Sequence, residues 1–120
     1  MIKKQFIATR AFIVNDGKVL LILECDKNPD GTQNGLWDFP GGRLDNGETL
    51  FESLHRETQE EAGLTVTPLE AFYVAEWTAH VRNEAWHIVA VYYLCKSIST
   101  TVKLSEHHDA FMWMPLHDYK

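Results

Sequence analysis

Three glutamates, Glu57, Glu60 and Glu61, stand in one stretch of helical pattern, and a glycine pair, Gly41-Gly42, precedes them across a short polar loop. Thr49 followed three residues on by Glu52 has the form of a capping box, so a helix is predicted to begin near Leu50. Gly63 after the last periodic residue suits a left-handed cap, which ends the helix at Ala62. Helix residues advance by about 100°, so Glu57 and Glu61 point roughly 40° apart and Glu60 lies about 60° to the other side of Glu57. The three carboxylates share one face. Leu50, Leu54, Thr58 and Ala62 share a neighbouring face, with Phe51 beside it, and can pack on a core.

Such an acidic face is unfavourable in isolation. Like charges one turn apart destabilise a helix by a few tenths of a kcal/mol per pair, and Glu60 and Glu61 sit near the negative end of the helix dipole. Arg56 relieves part of this. A hard divalent cation would relieve it more completely, because Mg²⁺ prefers carboxylate and carbonyl oxygens. An E-x-x-E-E helix by itself can equally be a solvated acidic face with an ion pair.

The surroundings favour the metal. From Gly42 the chain continues at set spacing through Glu48, Arg56-Glu57, Thr58, Glu60-Glu61, Gly63 and Leu64. This resembles the signature of the Nudix hydrolase family, G-x5-E-x7-R-E-U-x-E-E-x-G-U, where U is bulky and apolar, and every invariant residue is present. The single departure is Thr58 in an apolar slot; its methyl can face the core while its hydroxyl bonds back along the helix. Trp37-Asp38-Phe39-Pro40 before the glycines is also a lead-in common in that family. Two glycines let backbone carbonyls approach a metal or phosphate closely, although a plain tight turn would use them too.

The resemblance implies hydrolysis of a phosphoanhydride bond in a nucleoside diphosphate linked to another group, with Mg²⁺ (or Mn²⁺ in its place) as cofactor. By motif position Glu57 and Glu61 are the main metal ligands, Glu60 is a further ligand or second acid, and the Gly41 carbonyl is a backbone ligand. Glu48 bonds within the loop or reaches a metal, and Arg56 orients the glutamates. The general base in several family members lies on a loop outside the signature. Glu106 is the candidate here and Glu60 the next, with His107 and His108 able to titrate near neutral pH. Arg10, His80 and Arg82 are candidates for phosphate contacts, and Phe6, Trp77, Trp86, Tyr92 and Tyr93 for stacking on a base. Markers of ADP-ribose or dinucleotide subfamilies are missing at His80, so a nucleoside triphosphate, normal or damaged, is the expected substrate. An ADP-ribose, nucleotide-sugar or dinucleotide pyrophosphatase is the alternative, and a non-catalytic nucleotide-binding module a second one.

The chain has 120 residues and a net charge of −6, which fits one Nudix domain over 1–120 and argues against nucleic-acid polymers or anionic membranes as partners. Bound metal would reverse the local sign for a polyphosphate. Cys25 and Cys95 show no metal-binding spacing and read as free, partly or wholly buried thiols. No apolar run approaches membrane-spanning length and no cleavage site follows the basic N-terminus, so the cytoplasm is the expected location.

In chain order, strands are expected over Gln5–Val14 and Lys18–Glu24, joined by a turn at Asn15-Asp16-Gly17. A surface loop follows over Asp26–Gly35, then the glycine loop and the helix. An extended segment begins at Leu64–Thr67, and strands are expected over Ala71–Ala79, Ala85–Leu94 and Ala110–Met114. Thr100–Asp109 reads as a loop and Pro115–Lys120 as a turn or the start of a helix. This is an α/β pattern with a mixed sheet, and the resemblance implies an α/β/α sandwich whose C-terminal helix is short or missing. An uncovered sheet face carrying Phe111 and Trp113 would then favour a homodimer or a longer natural chain.

Overall fold

The computed structural model describes residues 2–25 and 35–118, so the loop expected over Asp26–Gly35 lies, but for Gly35, outside the described residues. Strands β1 (Ile2–Asn15) and β2 (Lys18–Glu24) form the expected hairpin. Asp16 and Gly17 turn it with φ of 51° and 72°, the double positive φ of a type I′ turn. Two short strands follow, β3 (Trp37–Asp38) and β4 (Gly41–Arg43), then helix α1 (Leu50–Ala62). Long strands β5 (Val66–Val81) and β6 (Glu84–Ser97) form a second hairpin, and β7 (His108–Pro115) ends in a 3-10 turn over Leu116–Asp118.

The strands make one mixed sheet, ordered β3-β2-β1-β6-β5, with β4 also pairing β1 and β7 pairing β2. The central pair is parallel, β1 against β6 from Ile2↔Glu84 to Val14↔Lys96; the other pairs are antiparallel. β1 and β2 stay paired only beside their turn, at Val14↔Val19 and Asn15↔Lys18. Beyond it β4 takes the place alongside β1, from Ala8↔Arg43 to Arg10↔Gly41.

The sheet buries both faces, as alternation along β1 dictates. Ala11 and Ile13 point to one side and pack with Leu54, Ala62, Leu64, Val66, Tyr93 and Cys95 under the helix. Ala8 points to the other side and packs with Trp86, Ile88 and Ala90, with Phe6, Trp77 and Tyr92 around them. Cys95 is a buried free thiol whose pKa burial pushes up to about 12, and Cys25 is half-buried. On β7, Trp113 packs against the helix-side core while Phe111 and Met112 remain exposed.

Several boundaries differ from expectation. The segments expected to begin at Leu64–Thr67 and to span Ala71–Ala79 form one strand, β5 (Val66–Val81), because bulges between Pro68 and Glu70 and between Ala71 and Tyr73 absorb the irregular residues without breaking the ladder. The gap left between the strands expected over Ala71–Ala79 and Ala85–Leu94 shrinks to a turn at Arg82-Asn83, with φ of 46° and 64°. The glycine pair is strand, not loop, since β1 supplies a partner that sequence cannot reveal. Among the described residues α1 is the one α-helix, and no helix is long and apolar enough to cross a membrane.

Candidate active site

Helix α1 has the termini its sequence specifies. Thr49 caps it: the Glu52 N–H donates to Thr49 Oγ1 at 3.1 Å, and the Thr49 N–H donates to Glu52 Oε1 at 2.9 Å. Gly63 closes it in the left-handed conformation, its N–H donating to the Gln59 carbonyl at 3.0 Å. Leu54, Thr58 and Ala62 are buried, and the Thr58 hydroxyl donates back to the Leu54 carbonyl at 2.9 Å, which satisfies the polar residue in the apolar slot. Ser53 is also buried, its hydroxyl 3.3 Å from that of Thr9 on β1. The helix is thereby set in register on the sheet, and its acidic face meets β4.

At that meeting Gly41 has φ 148°, and a Cβ there would collide with the Thr9 carbonyl oxygen. The Gly41 N–H donates to Glu61 Oε1 at 2.8 Å. A Cβ on Gly42 would lie 2.7 Å from Glu57 Oε2, so the carboxylate occupies the space a side chain would need. Glu57 and Glu61 are half-buried neighbours whose charges act on each other. Burial raises the pKa of both. For Glu61 the Glu57 charge adds to burial, while the Gly41 N–H and Arg10 pull the other way; for Glu57 the main opposing influence is Arg56.

Arg56 organises the remaining acids. Its Nε and Nη2 donate to the two oxygens of Glu48 at 2.6 and 3.0 Å, and Nη1 donates to Glu57 at 2.8 Å and Glu60 at 3.0 Å. Nη2 also donates to the Arg43 carbonyl at 3.1 Å, tying β4 to the helix. Arg56 holds the Glu48 carboxyl below its ordinary pKa. Glu60 is therefore turned toward Arg56 and solvent, not joined to the Glu57–Glu61 pair.

Among the described residues no three His, Cys, Asp or Glu side chains are gathered tightly enough to hold an ion as they stand. The chemistry of the pair nevertheless fits one. Two half-buried carboxyls crowded together form a site where a hard cation can offset their mutual repulsion. Glu57 and Glu61 would hold it, with the Gly41 carbonyl and the exposed Glu60 as the further oxygens nearby.

Arg10 is buried beside this pair. Its Nη1 donates to the Phe39 carbonyl at 3.1 Å and to the Gly41 carbonyl at 3.4 Å, and Nη2 lies 3.7 Å from Asp38. It braces the glycine segment from within. His80 and Arg82 are not brought here. His80 lies on β5 just before the β5–β6 turn and Arg82 lies in it; Glu84, at the start of β6, is opposite Ile2, eight residues and about 26 Å along β1 from Arg10.

The loop before β7 is anchored to the helix end: the Lys103 N–H donates to the Ala62 carbonyl at 2.8 Å and that of Ser105 to the Glu61 carbonyl at 3.2 Å. Glu106 thus stands near the C-terminal end of α1, its side chain 88% exposed and 3.8 Å from His107. His108 is half-buried, with Nδ1 2.9 Å from the Ser105 hydroxyl; burial lowers its pKa, and the nearby charges of His107 and Arg10 add to this.

Sequence reasoning missed the aromatic recess. Phe12, Phe39, Phe72, Tyr73 and Tyr92 line a cavity of about 330 Å³ on the sheet face away from the helix, next along β1 from Arg10. Tyr92 was the only one of these among the stacking candidates. Of the others, Tyr93 points to the opposite, helix-side core, Trp77 packs within the second cluster, and Phe6 and Trp86 are covered by Arg43, whose guanidinium sits 4.5 Å from both ring centres. Strict alternation along β1 and β6 would have sorted Tyr92 from Tyr93; the contributions of Phe39 and Phe72 come from separate segments and had no local signal.

A mixed sheet with a capped glutamate helix set against a Gly-Gly strand is the architecture of the Nudix hydrolase fold. Residues 4–120 match the NUDIX domain, and the chain belongs to that family. It is 32% identical over 105 residues to 8-oxo-dGDP phosphatase NUDT18 of Homo sapiens, a match covering 88% of this chain and 29% of that protein. To the CTP pyrophosphohydrolase of Escherichia coli (strain K12) it is 34% identical over 90 residues, covering 71% and 63%. The crystal structure of a MutT protein from Methanosarcina mazei Go1 superposes with a TM-score of 0.85 at 28% identity, covering 98% of this chain and 81% of that one. The chain therefore spans less than a third of the phosphatase it resembles.

Proposed function

We propose that this protein is a Mg²⁺-dependent pyrophosphohydrolase, with Mn²⁺ able to substitute, acting on a nucleoside triphosphate. The observation that carries the proposal is the half-buried pair Glu57 and Glu61 held against Gly41 and Gly42, with Arg10 opposite Gly41 and Phe12 of the aromatic recess one step further along β1. The relatives named as a CTP pyrophosphohydrolase and an 8-oxo-dGDP phosphatase support a nucleotide substrate.

In this reading the base stacks among the rings of the recess, a contact worth about 1–3 kcal/mol per base, and the phosphates lie over Arg10 and the carboxyl pair. When bound, the divalent ion neutralises phosphate charge and makes a water molecule more acidic. The chain's own residues do the rest. Gly41 and Gly42 leave room for Glu61 and Glu57 to lie against the backbone. Glu57 and Glu61 hold the ion, and Arg56 keeps Glu57 and the Glu48 loop in place. Glu106 accepts the proton of the attacking water, reached from the loop pinned to the end of α1; Glu60 is the next candidate for that step.

The test is release of pyrophosphate or phosphate from a panel of nucleoside triphosphates, nucleoside diphosphates, ADP-ribose and dinucleoside polyphosphates with Mg²⁺. Turnover of triphosphates that vanishes in Glu57→Gln supports the reading. Nucleotide binding with no turnover of any panel member would refute it.

A further inference from the structure

We propose that two copies of this chain pair antiparallel along the free edge of β5, centred on Thr78, so that one sheet runs through both. β5 ends the strand order, and among the described residues no strand pairs its outer side. Such an edge offers a row of unpaired N–H and C=O groups to another strand. The two halves of β5 differ in how they protect it. From Val66 to Tyr73 the edge is guarded: Pro68 has no N–H to offer, and bulges between Pro68 and Glu70 and between Ala71 and Tyr73 bend the strand. From Val74 to Val81 the strand keeps unbroken register with β6, from Val74↔Val91 to Val81↔Glu84, with no proline, lysine or bulge. Val74 is 60% exposed there.

The side chains of this straight half select the partner and the register. A two-fold axis through the sheet keeps like faces together, so each residue meets one of its own parity. Centring on Glu76 would set two carboxylates opposite each other, which is destabilising. Centring on Trp77 leaves Glu76 opposite a threonine. Centring on Ala79 carries Glu76 opposite Arg82, which has already left the strand with φ 46°. Centring on Thr78 sets Glu76 opposite His80 of the partner subunit, and by symmetry does so twice. On the other face it sets Trp77 opposite a small residue, Ala79 of the partner subunit. Residues directly opposite have Cβ atoms about 4.5–5.5 Å apart, and an imidazole N–H donates to a carboxylate in either charge state.

Glu76 is already oriented for this. Its Oε2 lies 2.8 Å from His87 Nε2 on β6, and His87 Nδ1 lies 3.1 Å from Gln5 Nε2 on β1. This row crosses the sheet from β1 through β6 to β5 and stops at the open edge. Among the described residues Glu76 Oε1 has no hydrogen-bond partner and His80 makes no hydrogen bond. In the dimer that oxygen accepts from His80 of the partner subunit, and the row continues into the second copy. Ala75 to Val81 of each chain then pair along the shared edge.

The experiment is sedimentation of the 120-residue chain over a range of concentrations. It compares wild type, Glu76→Lys, His80→Glu and the double variant, with melting curves to confirm that each is folded. Wild type should show a monomer–dimer equilibrium with nothing larger. His80→Glu sets two carboxylates opposite each other at both symmetric positions and should raise the dimer dissociation constant about ten- to a hundredfold. Glu76→Lys removes the acceptor and should raise it at least about fivefold. The double variant restores opposite charges in exchanged places and should return to within about threefold of wild type. It still lacks the bond from Glu76 to His87, so the rescue cannot come from within one chain. A wild type that stays monomeric throughout, a dimer indifferent to both single variants, or a double variant as weak as the single ones would each overturn the proposal.

Discussion

Replacing Arg56 with methionine should destabilise the protein by about 2 kcal/mol, between the roughly 0–1 kcal/mol of an exposed ion pair and the roughly 3–5 kcal/mol lost when one partner of a buried pair is removed. The environment supports that size. The Arg56 side chain is 27% exposed and Glu57 14%, so Glu57 would keep its carboxyl partly out of water with no cation opposite it, while Glu48 on its loop is more readily solvated. Glu60 and Asp45 are 58% and 71% exposed and would contribute little, about 0–1 kcal/mol each at most. At about 4 °C per kcal/mol for a domain of this size, the melting temperature should fall by roughly 8 °C. Arg56→Lys keeps the charge but cannot span both oxygens of Glu48, and should lose about half as much. Because Arg56 orients Glu57, Mn²⁺ affinity should also drop about 10–100-fold, as when a group supporting a metal ligand is lost. Thermal melts and Mn²⁺ titration of the three proteins decide it. A methionine variant within about 1 kcal/mol of wild type would show that the network is only surface decoration, and the reasoning from burial would be wrong.

The carboxyl pair makes a second expectation: Glu61→Gln keeps an acceptor for the Gly41 N–H and removes the repulsion with Glu57, so its metal-free melting temperature should equal or exceed wild type while Mn²⁺ no longer raises it. A Mn²⁺-induced shift equal to wild type would place the metal elsewhere. For the base, Glu106→Gln should lower kcat about 10²–10⁴-fold with Mn²⁺ affinity unchanged; a change under about twofold, with a large loss in Glu60→Gln instead, would move the base into the helix. His108 has its pKa lowered by burial, so the unfolded chain binds its proton first as pH falls. The stability contributed by neutral His108 is complete above the unfolded value of about 6.5 and is lost on acidification through the lower folded value. His108→Gln should therefore lose less stability than wild type between pH 7 and 5, and urea melts giving parallel losses would contradict this.

Local chemistry was legible in the sequence by itself. The helix from Leu50 to Ala62, its Thr49–Glu52 box and its Gly63 cap follow from bonds between residues three or four apart, so they need no distant partner. The β1–β2 hairpin with its Asp-Gly turn is equally local. The shared face of Glu57 and Glu61 follows from helix geometry, and the tolerance of Thr58 from a bond one turn back. What only the tertiary structure decided are the meetings between distant segments. The parallel pairing of β1 with β6 joins residues more than eighty apart, and no turn signal encodes it. That pairing sets which face each aromatic takes, separating Tyr92 in the recess from Tyr93 in the core and carrying His80 and Arg82 to the far end of the sheet. It also sets Arg43 on Phe6 and Trp86. The raised pKa values of Glu57 and Glu61 have the same origin: spacing puts two carboxyls together, but only packing β4 over them removes the water that would let both ionise freely.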